Sequence, residues 1–394
     1  MNKFCSALFN AIRKDNDFRI RPCCVFQPKK SIYELDQWLE SDYLKGLKQS
    51  LLEGIEVPEC NQCWLKEKNG FTSLRHIYNQ HLLHVSEVPD SLARKAQSNL
   101  VYADIKIGNT CNYSCVMCHP GDSSRIYSEW IKHPENDFVY DYLKNNHELM
   151  NPKHFENQRI QSLKFLNKIL DCPSVRSIKL LGGEPLLQQD FLKILSDVPD
   201  YKKSKITLNF VTNGSVDFID TCNYLGNYKS INLVLSLEGI EHLQEYIRKY
   251  SNWTRISDNV DRFLKHRKLN CNLSVHHTIQ ALSLGGLSDL VQWCYNHNLK
   301  LSFQILTSPD YLAVSVLNPD YVSKKISLIK SSMVKEVLMI DNDNVSLSDV
   351  KNYVSCGKYR HDLRPKFLDY IDFYEKTHKL KLINVAPDLL DSLD

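Results

Sequence analysis

The sequence predicts an α/β chain organised around an open, partial barrel of six β/α units, and three observations lead there. From about residue 100, short β-branched or apolar runs alternate with longer segments of helical period. Strand-then-helix order repeated in this way favours parallel strands joined by right-handed crossovers. The clusters of cysteine, glycine, amide and acidic residues follow the carboxyl ends of the predicted strands, where barrel enzymes gather their chemistry.

The predicted strands are Tyr102–Ile107, Ser177–Leu181, Lys205–Thr212, Ile231–Leu237, Asn272–Thr278 and Lys300–Leu306. Helical periodicity fills Asp190–Ser196, Ile240–Lys249, Ile256–Lys265 and Leu287–Asn296. The stretch Ser123–Pro173, rich in His, Asn, Lys and aromatic residues, is an insertion between the first two strands and reads as helical surface. Beyond Leu306 the pattern turns helical, over Asp320–Lys335 and Leu347–Lys379. At 394 residues the chain is too long for one small domain. Residues 1–98 read as a cysteine-rich module, 99–310 as the barrel and 311–394 as a helical extension.

Composition narrows the class further. Hydrophobic residues make up 43% and charged residues 24%, ordinary globular usage that excludes wholesale disorder, collagen and coiled coil. A net charge of +3, from 49 basic and 46 acidic side chains, is too balanced for a dedicated nucleic-acid binder and leaves RNA binding unsupported rather than excluded. Apolar runs fall short of the roughly 20 residues of a membrane span, and Lys3, Arg13, Lys14 and Asp15 break the one candidate leader. The expectation is a cytoplasmic protein. There, thirteen cysteines are tolerable only if buried singly or bound to metal.

Cys111, Cys115 and Cys118 place three thiols within eight residues, directly after a predicted strand. Four thiolates would complete a cubane iron–sulfur cluster, so a local set of three suggests one iron left for another ligand. The alternative is a zinc loop completed by His119 or a more distant residue.

The Cys-x3-Cys-x2-Cys loop resembles the signature of the radical S-adenosylmethionine (radical SAM) superfamily, and three further motifs appear in chain order. Leu181-Gly182-Gly183-Glu184-Pro185 resembles the GGEP element after the second strand. Val211-Thr212-Asn213-Gly214 and Leu235-Ser236-Leu237-Glu238-Gly239 resemble the elements after the third and fourth strands in the SPASM/twitch branch, which modifies peptides and proteins. Glu238 replaces the more usual Asp, and Met117 stands where an aromatic often precedes the third cysteine. The resemblance covers about residues 100–306. It implies a radical SAM barrel with a [4Fe-4S] cluster on Cys111, Cys115 and Cys118. It further implies S-adenosylmethionine held by Gly182, Gly183, Glu184, Pro185, Asn213, Ser236 and Arg248, with a solvated helical Arg the alternative reading of the last.

Cys5, Cys23 or its neighbour Cys24, Cys60 and Cys63 have the composition of a second metal site, for iron–sulfur or zinc. Twitch and SPASM modules use a similar order ending in Cys-x2-Cys for an auxiliary cluster, usually after the barrel. The resemblance therefore implies an auxiliary [4Fe-4S] cluster on Cys5, Cys23, Cys60 and Cys63, and Glu67, Gly70, Ser73 and Arg75 resemble the tail of the same pattern. Cys172, Cys222, Cys271, Cys294 and Cys356 read as isolated structural cysteines. His276-His277 on the fifth strand can send at most one ring inward, and Gly285-Gly286 reads as a turn.

The function expected is an enzyme that binds the cluster and S-adenosylmethionine, generates a 5′-deoxyadenosyl radical and abstracts hydrogen from a peptide, protein or other biosynthetic substrate. Such chemistry needs a one-electron reductant such as flavodoxin or ferredoxin. Modification of tRNA or a nucleotide is the rival within enzymes. A non-catalytic iron–sulfur scaffold or electron carrier is the rival outside them, and a carrier has no need of the GGEP turn.

Overall fold

The computed structural model describes residues 3–85, 99–151, 153–329, 333, 336–337 and 359–391. Its strands are β1 (Ala11–Lys14), β2 (Ile20–Arg21), β3 (Tyr102–Lys106), β4 (Ser114–Cys115), β5 (Ser177–Leu181), β6 (Thr207–Thr212), β7 (Ser230–Ser236), β8 (Arg248–Lys249), β9 (Cys271–Ile279) and β10 (Lys300–Ile305). Two compact units result. One holds residues 1–109, 151–211 and 223–232, and the other 110–150, 212–222 and 233–394.

In the first unit the strand order is β2-β1-β3-β5-β6. Strands β1, β3, β5 and β6 run parallel, with Ile12 opposite Ala103, Ile105 opposite Leu180 and Ile178 opposite Leu208. These side chains are fully buried, and helices His154–Asp171 and Gln189–Ser196 contribute Leu166, Ile169, Phe191 and Leu195 to the same core. Strand β6 alternates buried and half-buried positions. Its half-buried Asn209 accepts a hydrogen bond from Asn232 Nδ2 at 2.9 Å, so the first residues of β7 lie alongside it.

Sequence periodicity did not reveal β1, a four-residue strand buried throughout. Arg13 and Lys14 break its apolar pattern, and both charges are accommodated internally. Arg13 Nη1 pairs with Asp104 at 2.5 Å, and Lys14 Nζ donates to Ser162 Oγ at 3.1 Å. Burial lowers Lys14 to about 8.

The second unit continues from β7 into β9 and β10. Leu237 N donates to His276 O at 3.0 Å, and β9 and β10 are parallel with Val275 opposite Leu301. A two-residue antiparallel ribbon, β4 with β8, sets Ser114 opposite Lys249 and Cys115 opposite Arg248. His277 is the inward ring of its pair, fully buried and pushed down to about 3 by desolvation, while His276 Nδ1 lies 2.9 Å from Ser302 Oγ.

Two expectations need correction. The insertion is not plain surface: its helices Ser124–Trp130 and Asp137–Asn145 bury Ile126, Trp130 and Val139, and Phe138 packs edge-on against Tyr311 and Tyr370. Cys222 and Cys271 are not isolated but share a side-chain hydrogen bond within the second unit. Of the two predicted C-terminal helical segments, Pro319–Ser327 and Arg364–His378 are helical, and residues 330–332, 334–335 and 347–358 lie outside the described residues. Cys356 lies outside the described residues. Gly285-Gly286 forms a short 3-10 turn over Leu284–Gly286. No described helix is long and apolar enough to cross a membrane.

Candidate functional site

The loop carrying Cys111, Cys115 and Cys118 belongs to the second unit and is pinned by its own chain. Cys118 N donates to Cys115 O at 3.0 Å, Val116 N to Ile247 O at 2.8 Å, and Cys111 N to Ser124 Oγ at 3.2 Å. Ser123 Oγ donates to Tyr113 O at 2.8 Å and caps the following helix through Ile126 N. Both ring nitrogens of His119 are engaged elsewhere, Nδ1 by the Tyr142 hydroxyl at 2.8 Å and Nε2 by Asp122 at 3.3 Å. This ring is therefore not positioned to complete a zinc loop with the three thiols.

Two predicted side chains reach the sulfurs. Asn213 Nδ2 lies 3.9 Å from Cys111 Sγ and donates to Asn112 Oδ1 at 2.9 Å. Arg248, set opposite Cys115 by the ribbon, donates from Nη1 to Cys115 Sγ at 3.7 Å and from Nη2 to Glu238 Oε1 at 2.7 Å. Its Nε is buried with no hydrogen-bond partner. A cation beside the thiols with an orphaned donor fits a further acidic ligand. Ser236 is buried in the same unit.

Glu238 is fully buried, and Thr278 N donates to its Oε2 at 3.0 Å. Desolvation lifts its carboxyl to about 7 although Arg248 pulls the other way. Burial opposes the Arg248 charge, but Cys115 and Glu238 outweigh it and hold the guanidinium up. Arg248 thus keeps its proton, and Glu238 is the group whose protonation changes near neutrality. Burial also pushes the Cys115 thiol up to about 12, against the pull of Arg248, and lifts Cys118 well above its ordinary value. Thiols so buried ionise readily only with a metal to take the sulfur.

Sequence reading missed the loop's backing. Helix Arg364–His378 turns Tyr370 and Tyr374 inward, four residues apart on one face. Tyr370 Oη donates to Val116 O at 2.7 Å, and Tyr374 Oη lies 3.0 Å from Ser114 O and 2.9 Å from Tyr246 O. Ser114 Oγ in turn donates to Glu129 Oε2 at 2.7 Å. The stripe Phe367, Tyr370, Ile371 and Tyr374 at helical spacing was the available signal, but it resembles any core-facing helix.

In the first unit, Gly182 and Gly183 both take positive φ, 91° and 56°, after β5. A Cβ on Gly182 would meet Gly108 O at 3.0 Å, which requires glycine there. Glu184 is buried and its Oε1 accepts from Leu186 N at 3.1 Å, opening the 3-10 turn that begins at Pro185.

The same unit contains the second cysteine group. Cys5, Cys23, Cys60 and Cys63 line one cavity together with Phe26, Leu74, Arg75 and Tyr78. Cys23 is buried and Cys24 exposed, so Cys23 is the one that faces this cavity. Burial raises Cys5 to about 11, with Cys63 adding to the effect, and lifts Cys23, Cys60 and Cys63 as well. Among the described residues no three His, Cys, Asp or Glu side chains are grouped so as to hold a single metal ion.

Comparison with known proteins gives a family match over part of the chain. No curated protein matches. Solved structures similar to the chain include native anSMEcpe with bound AdoMet and the Cp18Cys peptide, at 14% identity and a TM-score of 0.36, over 60% of this chain and 59% of that one. Another is SuiB from Streptococcus suis, at 16% identity and a TM-score of 0.41, over 79% of this chain and 63% of that one. A third is TYW1 with a lysine-pyruvate adduct bound, at 13% identity and a TM-score of 0.29, over 69% of this chain and 89% of that one. The chain thus spans less than two thirds of the length of the first two. The family pattern described as Radical SAM superfamily matches residues 105–279, a span that runs from β3 to the end of β9 and includes every motif from Cys111 to Arg248, and over that span the chain is similar to the radical SAM superfamily.

Proposed function

We propose that this enzyme binds a [4Fe-4S] cluster through Cys111, Cys115 and Cys118 and uses S-adenosylmethionine to abstract hydrogen from a peptide or protein. The observation that carries the reading is the Cys111–Cys118 loop with Arg248 at Cys115, a half-buried guanidinium whose buried Nε is unclaimed. With cluster and S-adenosylmethionine bound, one electron yields methionine and a 5′-deoxyadenosyl radical, chemistry that belongs to the cofactors.

The chain's own residues position and shield. Arg248 offers the orphaned Nε to a carboxylate, while its Nη2 stays on Glu238. Asn213 donates toward Cys111, and hydrogen bonds of this kind tune a cluster's potential. Tyr370 and Tyr374 fix the carbonyls of Val116 and Ser114 and help exclude water behind Cys115. In the same reading Gly182, Gly183, Glu184, Pro185 and Ser236 complete cofactor binding, as the motif resemblance implies.

Cys5, Cys23, Cys60 and Cys63 hold an auxiliary [4Fe-4S] cluster in this reading. Four sulfurs ringing a cavity, rather than meeting at a point, support a cluster over one zinc ion. The SPASM/twitch-like motifs support a peptide or protein substrate, and a flavodoxin- or ferredoxin-type reductant supplies the electron.

The test is anaerobic reconstitution of wild type and a Cys111→Ala/Cys115→Ala/Cys118→Ala variant, with iron analysis, electron paramagnetic resonance and 5′-deoxyadenosine measured together. The variant should lose about one cluster of iron and all 5′-deoxyadenosine formation. Wild-type levels of both in the variant would remove the loop from the chemistry.

A further inference from the structure

We infer that Arg75, gripped by Glu67, ties the cysteine segments of the first unit together and raises the reduction potential of the cluster they hold. This rests on the reading of that cavity as an iron–sulfur site.

Arg75 is a buried cation on the wall of the four-cysteine cavity. Its Nε and Nη2 meet the two oxygens of Glu67 at 2.9 and 2.7 Å, a fork-on-fork pair. Nη1 donates to Phe4 O at 2.8 Å, the carbonyl immediately before Cys5. The guanidinium also lies 5.1 Å from the Trp64 ring, beside Cys63, and the Arg75 backbone hydrogen-bonds Cys63. One turn further on, Asn79 clasps the same segment: its Nδ2 donates to Phe4 O at 3.0 Å and its Oδ1 accepts from Ser6 N at 2.7 Å. Cys5 and Cys63, 58 residues apart in sequence, are therefore set relative to each other largely through one side chain and its helix.

The charge has a second consequence. Arg75 shares the wall of one cavity with Cys5, Cys23, Cys60 and Cys63, so its charge faces whatever negative centre those sulfurs hold. Reduction adds one more negative charge to a centre that four thiolates already make anionic, so a fixed buried cation favours the reduced form. Glu67 partly cancels that cation. Removing Arg75 and removing the Glu67 charge should therefore move the potential in opposite directions, whereas a purely structural brace would make both variants fail in the same way. Lysine retains the charge but lacks the fork, so it should preserve the potential better than the geometry.

The test uses the full chain, reconstituted anaerobically with iron and sulfide, in the Cys111→Ala/Cys115→Ala/Cys118→Ala background so that one centre gives the signal. Redox titration followed by electron paramagnetic resonance compares this parent with Arg75→Gln, Arg75→Lys and Glu67→Gln. Arg75→Gln should shift the reduced-to-oxidised ratio about tenfold toward oxidised, about 59 mV for one electron. Glu67→Gln should shift it the other way, and Arg75→Lys should stay near the parent. Equal potentials in all four proteins overturn the inference, as does parallel cluster loss from both neutral variants. If Arg75→Gln does not fold, the direction of the Glu67→Gln shift decides: upward supports the inference, unchanged or downward overturns it. A parent that takes up zinc or no iron overturns the cluster reading itself, and an iron-loaded parent with unmoved variants overturns only the role of Arg75.

Discussion

On the proposed reading, the two cysteine groups solve one problem, holding anionic sulfur inside a protein, by different means. Cys111, Cys115 and Cys118 occupy a single loop, and the polar groups near them, Asn213 and Arg248, reach the sulfurs themselves. Cys5, Cys23 and the Cys60–Cys63 pair come from three separate stretches, and their cavity is walled by Phe26, Leu74 and Tyr78 with Arg75 as its cation. A loop brings three ligands together at little entropic cost and leaves a position open. A cavity closed by four ligands from three distant stretches depends on tertiary packing and leaves none. The first arrangement suits a reactive centre, the second a structural or electron-relaying one.

The sharpest way to break this division is a Cys60→Ala/Cys63→Ala variant. It should lose about half of the bound iron yet retain reductive formation of 5′-deoxyadenosine, while modification of the true substrate falls by decades. Metal analysis and chromatography of 5′-deoxyadenosine check it. Loss of 5′-deoxyadenosine formation in a folded variant with an intact Cys111–Cys118 cluster would show that the two groups do not divide the work.

The next effect concerns the charge at the open site. Glu238 is completely buried and Arg248 nearly so, so Arg248→Gln leaves a carboxyl with no counter-charge, a change that costs about 3–5 kcal/mol when the carboxyl is ionised. In wild type the folded-state value of Glu238, about 7, lies above its ordinary 4.5. Its contribution to stability is thus present below 4.5 and lost as pH rises through about 7. Without Arg248 the folded-state value climbs further and the loss extends to higher pH. Denaturant unfolding should therefore find the substitution more costly at pH 8 than at pH 6. An equal cost at both would mean that Glu238 does not titrate in this range.

How much of this was readable beforehand follows the same local-versus-tertiary line. Cys111 to Cys118, Gly182 to Glu184 and Asn213 lie in short motifs after strands of clear alternation, and those strands form within two residues of their predicted ends at β3, β5, β6, β7, β9 and β10. Arg248 was ambiguous because its pairing with Cys115 depends on a two-residue ribbon that no periodicity marks. Strand β1 was hidden because Arg13 and Lys14 are buried by partners distant in sequence, Asp104 and Ser162. The choice of Cys23 over Cys24 as the cavity-facing residue depends on the facing of adjacent side chains, which composition does not resolve. Tyr370 and Tyr374 lie more than 250 residues from the carbonyls of Val116 and Ser114 that they meet, a contact that only the folded chain defines.

The smallest expected effect tests whether that remote helix belongs to the open site. Tyr374→Phe keeps the ring, and with it the packing against Tyr246 at 5.9 Å and His378 at 4.5 Å. It removes only the hydroxyl shared by Ser114 O and Tyr246 O. Losing a buried hydrogen bond of this kind costs about 1–3 kcal/mol, which calorimetry of the apoprotein reads directly. Ser114 precedes Cys115, so the freed carbonyl loosens the loop at one of its three thiols. The reconstituted variant should then release iron to a chelator faster than wild type, with the effect confined to the fraction bound by Cys111, Cys115 and Cys118. Tyr370→Phe should do the same through Val116 O. A matching fall in stability with unchanged iron release would make the helix a support of the fold alone, and iron lost from the four-cysteine cavity instead would contradict the separation of the two centres.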